Sequence, residues 1–246
     1  MSNPSVDHRT CAVPKKGGGR GDYEDAAAVS VGDGPICAAV ADGATESVFA
    51  RAWAKRLVRG VVEEKATTAD SFRDASAEWQ AEWAAAAREQ ATDRPWYVAA
   101  KAAEGAFATV LGLSLHADGR WRAVSVGDCC LFHLRDGGLV QSWPYEATDA
   151  FTNRPTLVPS QPSQDAPLPD ATTGSWQAGD SFLLVTDAVA VWLMRSDPEA
   201  VRALDSDAFR ERVAAARTDG TLRNDDATML VLDLTASSEA DQATDN

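Results

Sequence analysis

Ile36-Cys37-Ala38-Ala39-Val40-Ala41-Asp42-Gly43 is an uninterrupted apolar run that stops on an aspartate and a glycine, and it reads as a buried strand with a carboxylate at its rim. Three other runs repeat the pattern. Val124–Gly127 runs into Asp128, Phe182–Thr186 into Asp187, and Met229–Leu232 is entered from Asp225-Asp226. A carboxylate at the rim of a buried strand is desolvated at a cost, so several at one sheet edge must share a cation or hydrogen bonds. Two carboxylates about 5 Å apart repel by roughly 3 kcal/mol at an effective dielectric of about 20, and a cluster is worse. Oxygen-only donors select hard ions, magnesium, manganese or calcium rather than zinc. The pattern suggests a metal site, against the alternative that each aspartate ends its strand in solvent.

Composition narrows the partners. The chain has 246 residues, 45 % of them hydrophobic, which suits one domain with a sizeable core. A formal net charge of -14 and a pI near 4.6 argue against nucleic acid or an anionic membrane as partner, and make a phosphorylated substrate awkward without locally bound cations. No stretch reaches the roughly 18 consecutive apolar residues of a membrane helix. Met1–Lys16 also lacks the apolar centre of a signal peptide, so a soluble cytoplasmic protein is expected. Cys11, Cys37, Cys129 and Cys130 form no CxxC spacing and read as reduced thiols. His8, His116 and His133 are scattered and no GxSxG occurs, which argues against a histidine-based mechanism.

The periodicity outlines the elements. Ala26–Val31 and Ile36–Val40 read as a hairpin across Gly32-Asp33-Gly34-Pro35. Ser47–Glu64 and Asp70–Gln90 carry aromatic and aliphatic residues at helical spacing, and Pro95 opens a third helical stretch to about Phe107. Short β-prone segments follow at Thr109–His116, Trp121–Val126, Leu131–Arg135 and Leu139–Ser142. Pro144–Pro169 holds six of the 11 prolines and reads as a flap or a mobile loop. Ser181–Thr186 and Ala227–Leu234 read as strands, and Ala188–Arg195, a segment after Pro198, and Ala208–Arg217 as helices. The boundaries that result are an N-terminal segment 1–16, a domain 17–235 and a disordered acidic tail 236–246. Strands at both ends with helices between them favour two antiparallel sheets flanked by helices.

Arg20-Gly21-Asp22-Tyr23-Glu24-Asp25 precedes the first of those strands. A guanidinium grips phosphate with paired charge-assisted bonds and carboxylates hold metals that activate water, so one loop could serve both needs of a phosphate-ester hydrolase. A charged loop before a strand is common on its own.

With the other segments, the order of motifs resembles the metal-dependent protein phosphatases of type 2C. Arg20 with Glu24-Asp25 is similar to the family's opening. Ala39-Val40-Ala41-Asp42-Gly43, Gly105-Ala106-Phe107-Ala108-Thr109, Val126-Gly127-Asp128 with Arg135-Asp136-Gly137, Thr186-Asp187, and Asp225-Asp226-Ala227-Thr228 follow in the family's order, across about Arg20 to Leu234.

The resemblance implies an α+β fold, a four-layer α-β-β-α sandwich of two antiparallel sheets flanked by helices. It implies two divalent cations, manganese or magnesium. Asp42 would bridge them, Gly43 would ligate through its carbonyl, and Asp187 and Asp225 would complete the second. Asp25 and Glu24 would hold metal-bound waters, and Arg20 would grip the phosphate. The implied reaction is direct attack of metal-activated water on a phosphoserine or phosphothreonine ester, without a phosphoenzyme. The implied partner is a phosphorylated protein in a serine/threonine kinase pathway, met by a monomer.

Departures from the family pattern cut the other way. Ala44-Thr45-Glu46 replaces x-Gly-Gly, removing a histidine that some members carry, so the leaving group would take its proton from water. Glu46 either adds a carboxylate to the metal shell or starts a helix, where an acid suits the dipole. Asp187 is followed by Ala188, and Asp226 stands for asparagine. Asp128 matches a position that serves a third metal in some members, but Val191 replaces its partner. These changes leave a second function class open, a pseudophosphatase that binds a phosphoprotein without turnover. A calcium-stabilised interaction module would need EF-hand spacing, which the sequence lacks.

Overall fold

Alternation along the strands separates three apolar layers. In β3 (Ile36–Gly43), Cys37, Ala39 and Ala41 face helices α1 (Ala50–Glu63) and α2 (Ala69–Ala91), while Ile36, Ala38 and Val40 face a second sheet. In β11 (Ala227–Thr235), Met229 and Val231 pack under helices α3 (Asp187–Leu193), α4 (Pro198–Arg202) and α5 (Ser206–Thr218). The alternate residues Leu230, Leu232 and Leu234 meet the other sheet. A strand apolar on both faces must be covered on both, so each sheet carries helices outside and its partner inside. Each aliphatic or aromatic side chain so removed from water contributes roughly 1.5–3 kcal/mol.

The computed structural model describes residues 5–18, 22–32, 34–44, 49–91, 104–152 and 154–235. The remaining strands are β1 (Ser5–Val13), β2 (Ala26–Ser30), β4 (Phe107–Leu115), β5 (Arg120–Val126), β6 (Cys130–Arg135), β7 (Gly138–Trp143), β8 (Val158–Pro159), β9 (Asp170–Ser175) and β10 (Ser181–Val185). One sheet runs β1-β11-β10-β6-β7 and the other β2-β3-β4-β5-β9, with β8 paired to β4. Every pairing is antiparallel. The four-layer α-β-β-α architecture expected from the sequence is the one observed. None of the described helices is long and apolar enough to cross a membrane.

Strands β1 and β9 are absent from the sequence reading. The N-terminal segment set apart as 1–16 contains β1, which pairs along its length with β11, from Ser5 opposite Thr235 to Val13 opposite Ala227. Its polar, mostly exposed residues hide the strand from a reading based on apolar runs. β9, Asp-Ala-Thr-Thr-Gly-Ser, is concealed in the same way. The helix expected from Pro95 lies mostly outside the described residues, and β4 begins at Phe107, inside its expected end.

The proline-rich stretch is anchored at its middle. Val158 and Ser160 are fully buried, the Trp53 indole donates to the Val158 carbonyl at 2.9 Å, and Ser160 N donates to Ala106 O at 2.9 Å. Gln80, buried on α2, donates its amide to the Pro159 and Gln164 carbonyls, each at 3.0 Å. Prolines remove backbone donors, so the carbonyls left over are satisfied by side chains from α1 and α2. Gln80→Met keeps the side-chain length and removes both bonds. It is expected to cost about 1–3 kcal/mol in urea unfolding and to open 144–169 to limited proteolysis ahead of the rest of the chain.

Candidate metal centre

The residues lining the gap between the sheets change character at one end. The inward row of β3 runs Ile36, Ala38, Val40 and then Asp42; that of β2 runs Val29, Ala27 and then Asp25, just before the strand. On the facing sheet, Phe182 and Leu184 of β10 lead to Thr186, and Leu232 and Leu230 of β11 lead to Thr228. Side chains point alternately to the two faces of a strand, so the register that buries the leucines also turns these aspartates and threonines inward.

The polar row closes on itself. Thr186 Oγ1 donates to Asp25 Oδ2 at 3.0 Å and Thr228 Oγ1 to the same oxygen at 2.5 Å. With its proton committed to Asp25, the Thr228 hydroxyl accepts from the Tyr23 hydroxyl. Asp25 Oδ1 is buried and, among the described residues, no nitrogen or hydroxyl donates to it. The carboxyl of Asp42 interacts directly with that of Asp25. Two such carboxyls share either a proton or a cation. Burial raises the Asp25 pKa far above the usual carboxylate range. Burial first, then the charges of Asp25, Asp187 and Asp225, raise that of Asp42 further.

Beside this pair, Asp187 opens α3 with its Oδ1 accepting from Ala188 N at 2.5 Å. Its other oxygen meets the Arg223 guanidinium, whose same nitrogen lies 2.9 Å from Asp225 Oδ2. Burial raises the Asp187 pKa and Arg223 opposes the shift. Asp128 follows Gly127, whose φ of +102° and whose absent Cβ, which would stand 2.8 Å from Thr156 O, both call for glycine. Asp128 Oδ1 is buried without a donor among the described residues, and burial, with the nearby charge of Asp187, pushes its pKa up to about 7.

Asp226 braces the loop that carries the acidic pair. Its Oδ1 accepts from Lys15 N at 2.8 Å and its Oδ2 from Glu24 N at 2.7 Å. The Glu24 side chain is turned to Lys15 Nζ at 3.1 Å. Gly43 packs so closely on this loop and on α1 that a Cβ would stand 3.0 Å from both Glu24 O and Ala50 C. Of the sequence-predicted residues, Asp25, Asp42, Asp187 and Asp225 are brought together. Gly43 and Asp128 adjoin them, and Glu24 points to Lys15. Arg20 and Glu46 lie outside the described residues.

Tyr23, Thr186, Arg223 and the bracing role of Asp226 were not read from the sequence. The one local signal was Asp226 standing where the family has asparagine. Two backbone N–H groups face the two oxygens of Asp226, which suits a carboxylate and opposes an amide.

The donor set fits a hard cation. Its groups are carboxylates, two of its buried oxygens have no donor, and a guanidinium nitrogen already stands as a cation between Asp187 and Asp225. Among the described residues no three histidine, cysteine or acidic side chains form a ready-made ligand group. Asp187 and Asp225 are spanned by Arg223, and Asp25 is engaged with Asp42.

Residues 22–228 match the sequence profile of the family described as Protein phosphatase 2C. The chain belongs to that family. Among curated proteins none matches it. The chain superposes on the Mycobacterium tuberculosis serine/threonine phosphatase PstP/Ppp with a TM-score of 0.60 at 17 % identity, covering 94 % of this chain and 99 % of that one. The catalytic domain of PstP in complex with two manganese ions gives 0.58 at 20 % identity, over 94 % and 100 %. RsbX in complex with magnesium gives 0.55 at 16 %, over 96 % and 98 %. At such identities the likeness is one of fold, and members of the family are metal-dependent protein phosphatases.

The folded, metal-free protein holds protons on Asp25, Asp42 and Asp128 that the unfolded chain releases near pH 4. Its stability therefore falls as pH rises from about 4 through the value of about 7 for Asp128. Thermal melts in chelator across that range are expected to show the fall, and Asp128→Asn to flatten it. Asp226→Asn turns an amide NH2 against a backbone N–H and is expected to cost about 1–2 kcal/mol in urea unfolding.

Proposed function

We propose that this protein hydrolyses phosphoserine or phosphothreonine esters of a protein substrate, using two manganese or magnesium ions held at the acidic end of the intersheet gap. The observation that carries the reading is the inward convergence of Asp25, Asp42, Asp187 and Asp225, a costly arrangement that only protons or cations compensate. The ions found with the PstP catalytic domain and with RsbX support the same donor chemistry.

In this reading Asp42, the Gly43 carbonyl, Asp187 and Asp225 would hold the two ions. Asp25 and, once turned from Lys15, Glu24 would hold water beside the ions, with Asp128 adjacent. When bound, such ions supply positive charge to the phosphate and acidify water. The chain's own part is positional. Thr186 and Thr228 fix one oxygen of Asp25 and leave the other without a donor among the described residues, and Asp226 holds the backbone of Lys15 and Glu24 beside the start of β11. No side-chain nucleophile is required, so the displacement is single. The substrate would be a phosphoprotein of a kinase-linked pathway, met by a cytoplasmic monomer whose domain takes in β1 as well as the residues from 17 to 235.

A second reading, a phosphoprotein binder without turnover, is favoured by one observation, the guanidinium of Arg223 between Asp187 and Asp225. Manganese-dependent hydrolysis of p-nitrophenyl phosphate and of a phosphothreonine peptide separates the two. Asp42→Asn is expected to lower turnover by more than ~100-fold while raising the thermal midpoint of the metal-free protein, because a repelling charge is lost. Metal binding with no turnover in the wild type would favour the binder.

A further inference from the structure

Arg223 differs from the other arginines that contact buried carboxylates here. Arg135 meets Asp180 with two nitrogens at 2.7 Å, and His133 and Gln177 N complete that carboxylate's partners, so the group is fully satisfied far from the acidic cluster. Arg9 and Arg202 share Asp233 with Ser181 in the same manner. Those carboxylates are held below the usual range by their donors. Arg202 also spans two carboxylates, Glu199 and Asp233, but with three nitrogens and with Arg9 sharing Asp233. Arg223 instead spans Asp187 and Asp225 with a single nitrogen, one positive charge against two negative ones.

The backbone under Arg223 is fixed on both sides, and its side chain is held at the guanidinium by Asp187 and Asp225. Leu222, next to it, is buried in the core under α5, with its N–H bonded to Ala216 O at 3.0 Å. Asp225 N returns to Arg223 O at 3.0 Å, and Arg217 donates to Asp225 O at 2.5 Å. The turn from α5 into β11 is therefore held on both sides of Arg223. Its side chain is 55 % exposed and lines, with Phe151, Thr152, Asp187 and Val191, a small cavity of about 90 Å³ open to solvent. The guanidinium can leave the carboxylates by side-chain rotation alone, into a space that exists.

We infer that Arg223 is an internal counter-cation for Asp187 and Asp225 in the metal-free protein, which a divalent ion must displace to bind that pair. The inference rests on the metal-dependent reading above and deepens it. A divalent ion matches the two charges that the guanidinium only half compensates, so displacement is favoured when the metal is abundant and opposed when it is scarce. Arg223 thus sets the metal concentration at which the site fills. The fraction of protein with the guanidinium swung away multiplies the intrinsic affinity, so removing Arg223 tightens apparent binding.

Calorimetric titration of manganese into the chelator-treated full chain, wild type against Arg223→Gln and Arg223→Lys, tests this, alongside thermal melts without metal. Arg223→Gln is expected to tighten apparent manganese binding about 10-fold, to lower the metal-free melting midpoint, and to enlarge the shift that manganese produces. Arg223→Lys, which keeps the charge, is expected to stay near the wild type and guards against a misfolded glutamine variant. Equal manganese affinity in the wild type and in a folded Arg223→Gln protein would overturn the counter-cation role and leave the phosphatase reading standing. No manganese binding in any of the three would overturn both.

Discussion

Negative charge crowded at one end of the gap between the sheets is the constraint around which the site is built. The inward faces of β2, β3, β10 and β11 are apolar along their length and end in Asp25, Asp42, Thr186 and Thr228. The strands cannot slip by one residue to relieve the carboxylates, because the same slip would turn the leucines of the central layer outward. The packing of the core thus holds the acids together against their repulsion, and the repulsion is left for a ligand to relieve. That is the sense in which this fold stores binding energy for a cation.

Three different compensations act side by side in the metal-free protein. Asp25 and Asp42 interact, and Asp25 raises the affinity of Asp42 for a proton. Asp187 and Asp225 share a guanidinium. Asp128 feels the Arg223 charge only at a distance, and burial, with the charge of Asp187, pushes its pKa up to about 7. A proton, a guanidinium and a divalent ion are alternatives at the same acids, so occupancy of the site is set by competition among them rather than by geometry alone.

Much of this was legible in the sequence because apolar runs are contiguous and aspartates at their ends are conspicuous. Asp42, Asp187 and Asp225 could be named from that pattern, and the strand and helix order followed from changes of period. β1 and β9 were not legible, since edge strands with polar outer faces have no apolar signature, and their membership of a sheet is decided by the neighbour they pair with. The anchoring of the proline-rich stretch was hidden for a related reason. Its partners, Trp53 and Gln80, lie on helices far away in sequence, and prolines signal only what the backbone cannot do. Arg223 was invisible because a lone arginine in a polar turn looks like any solvated charge until the fold places Asp187, 36 residues earlier, beside it.

The overall charge makes these local cations matter more. With a formal net charge of -14, the protein repels a phosphorylated substrate at long range, although at physiological salt that field is screened beyond about 8 Å. Attraction must come from groups within that distance of the phosphate. Lys15 is already engaged by Glu24, and Arg223 by two carboxylates, so neither offers its full charge to an anion in the metal-free state. A divalent ion changes this twice over, by cancelling acids that repel the phosphate and by releasing the guanidinium that had been cancelling them. In the proposed reading, metal binding and substrate binding are therefore coupled through the same carboxylates, without any change in the sheets that carry them.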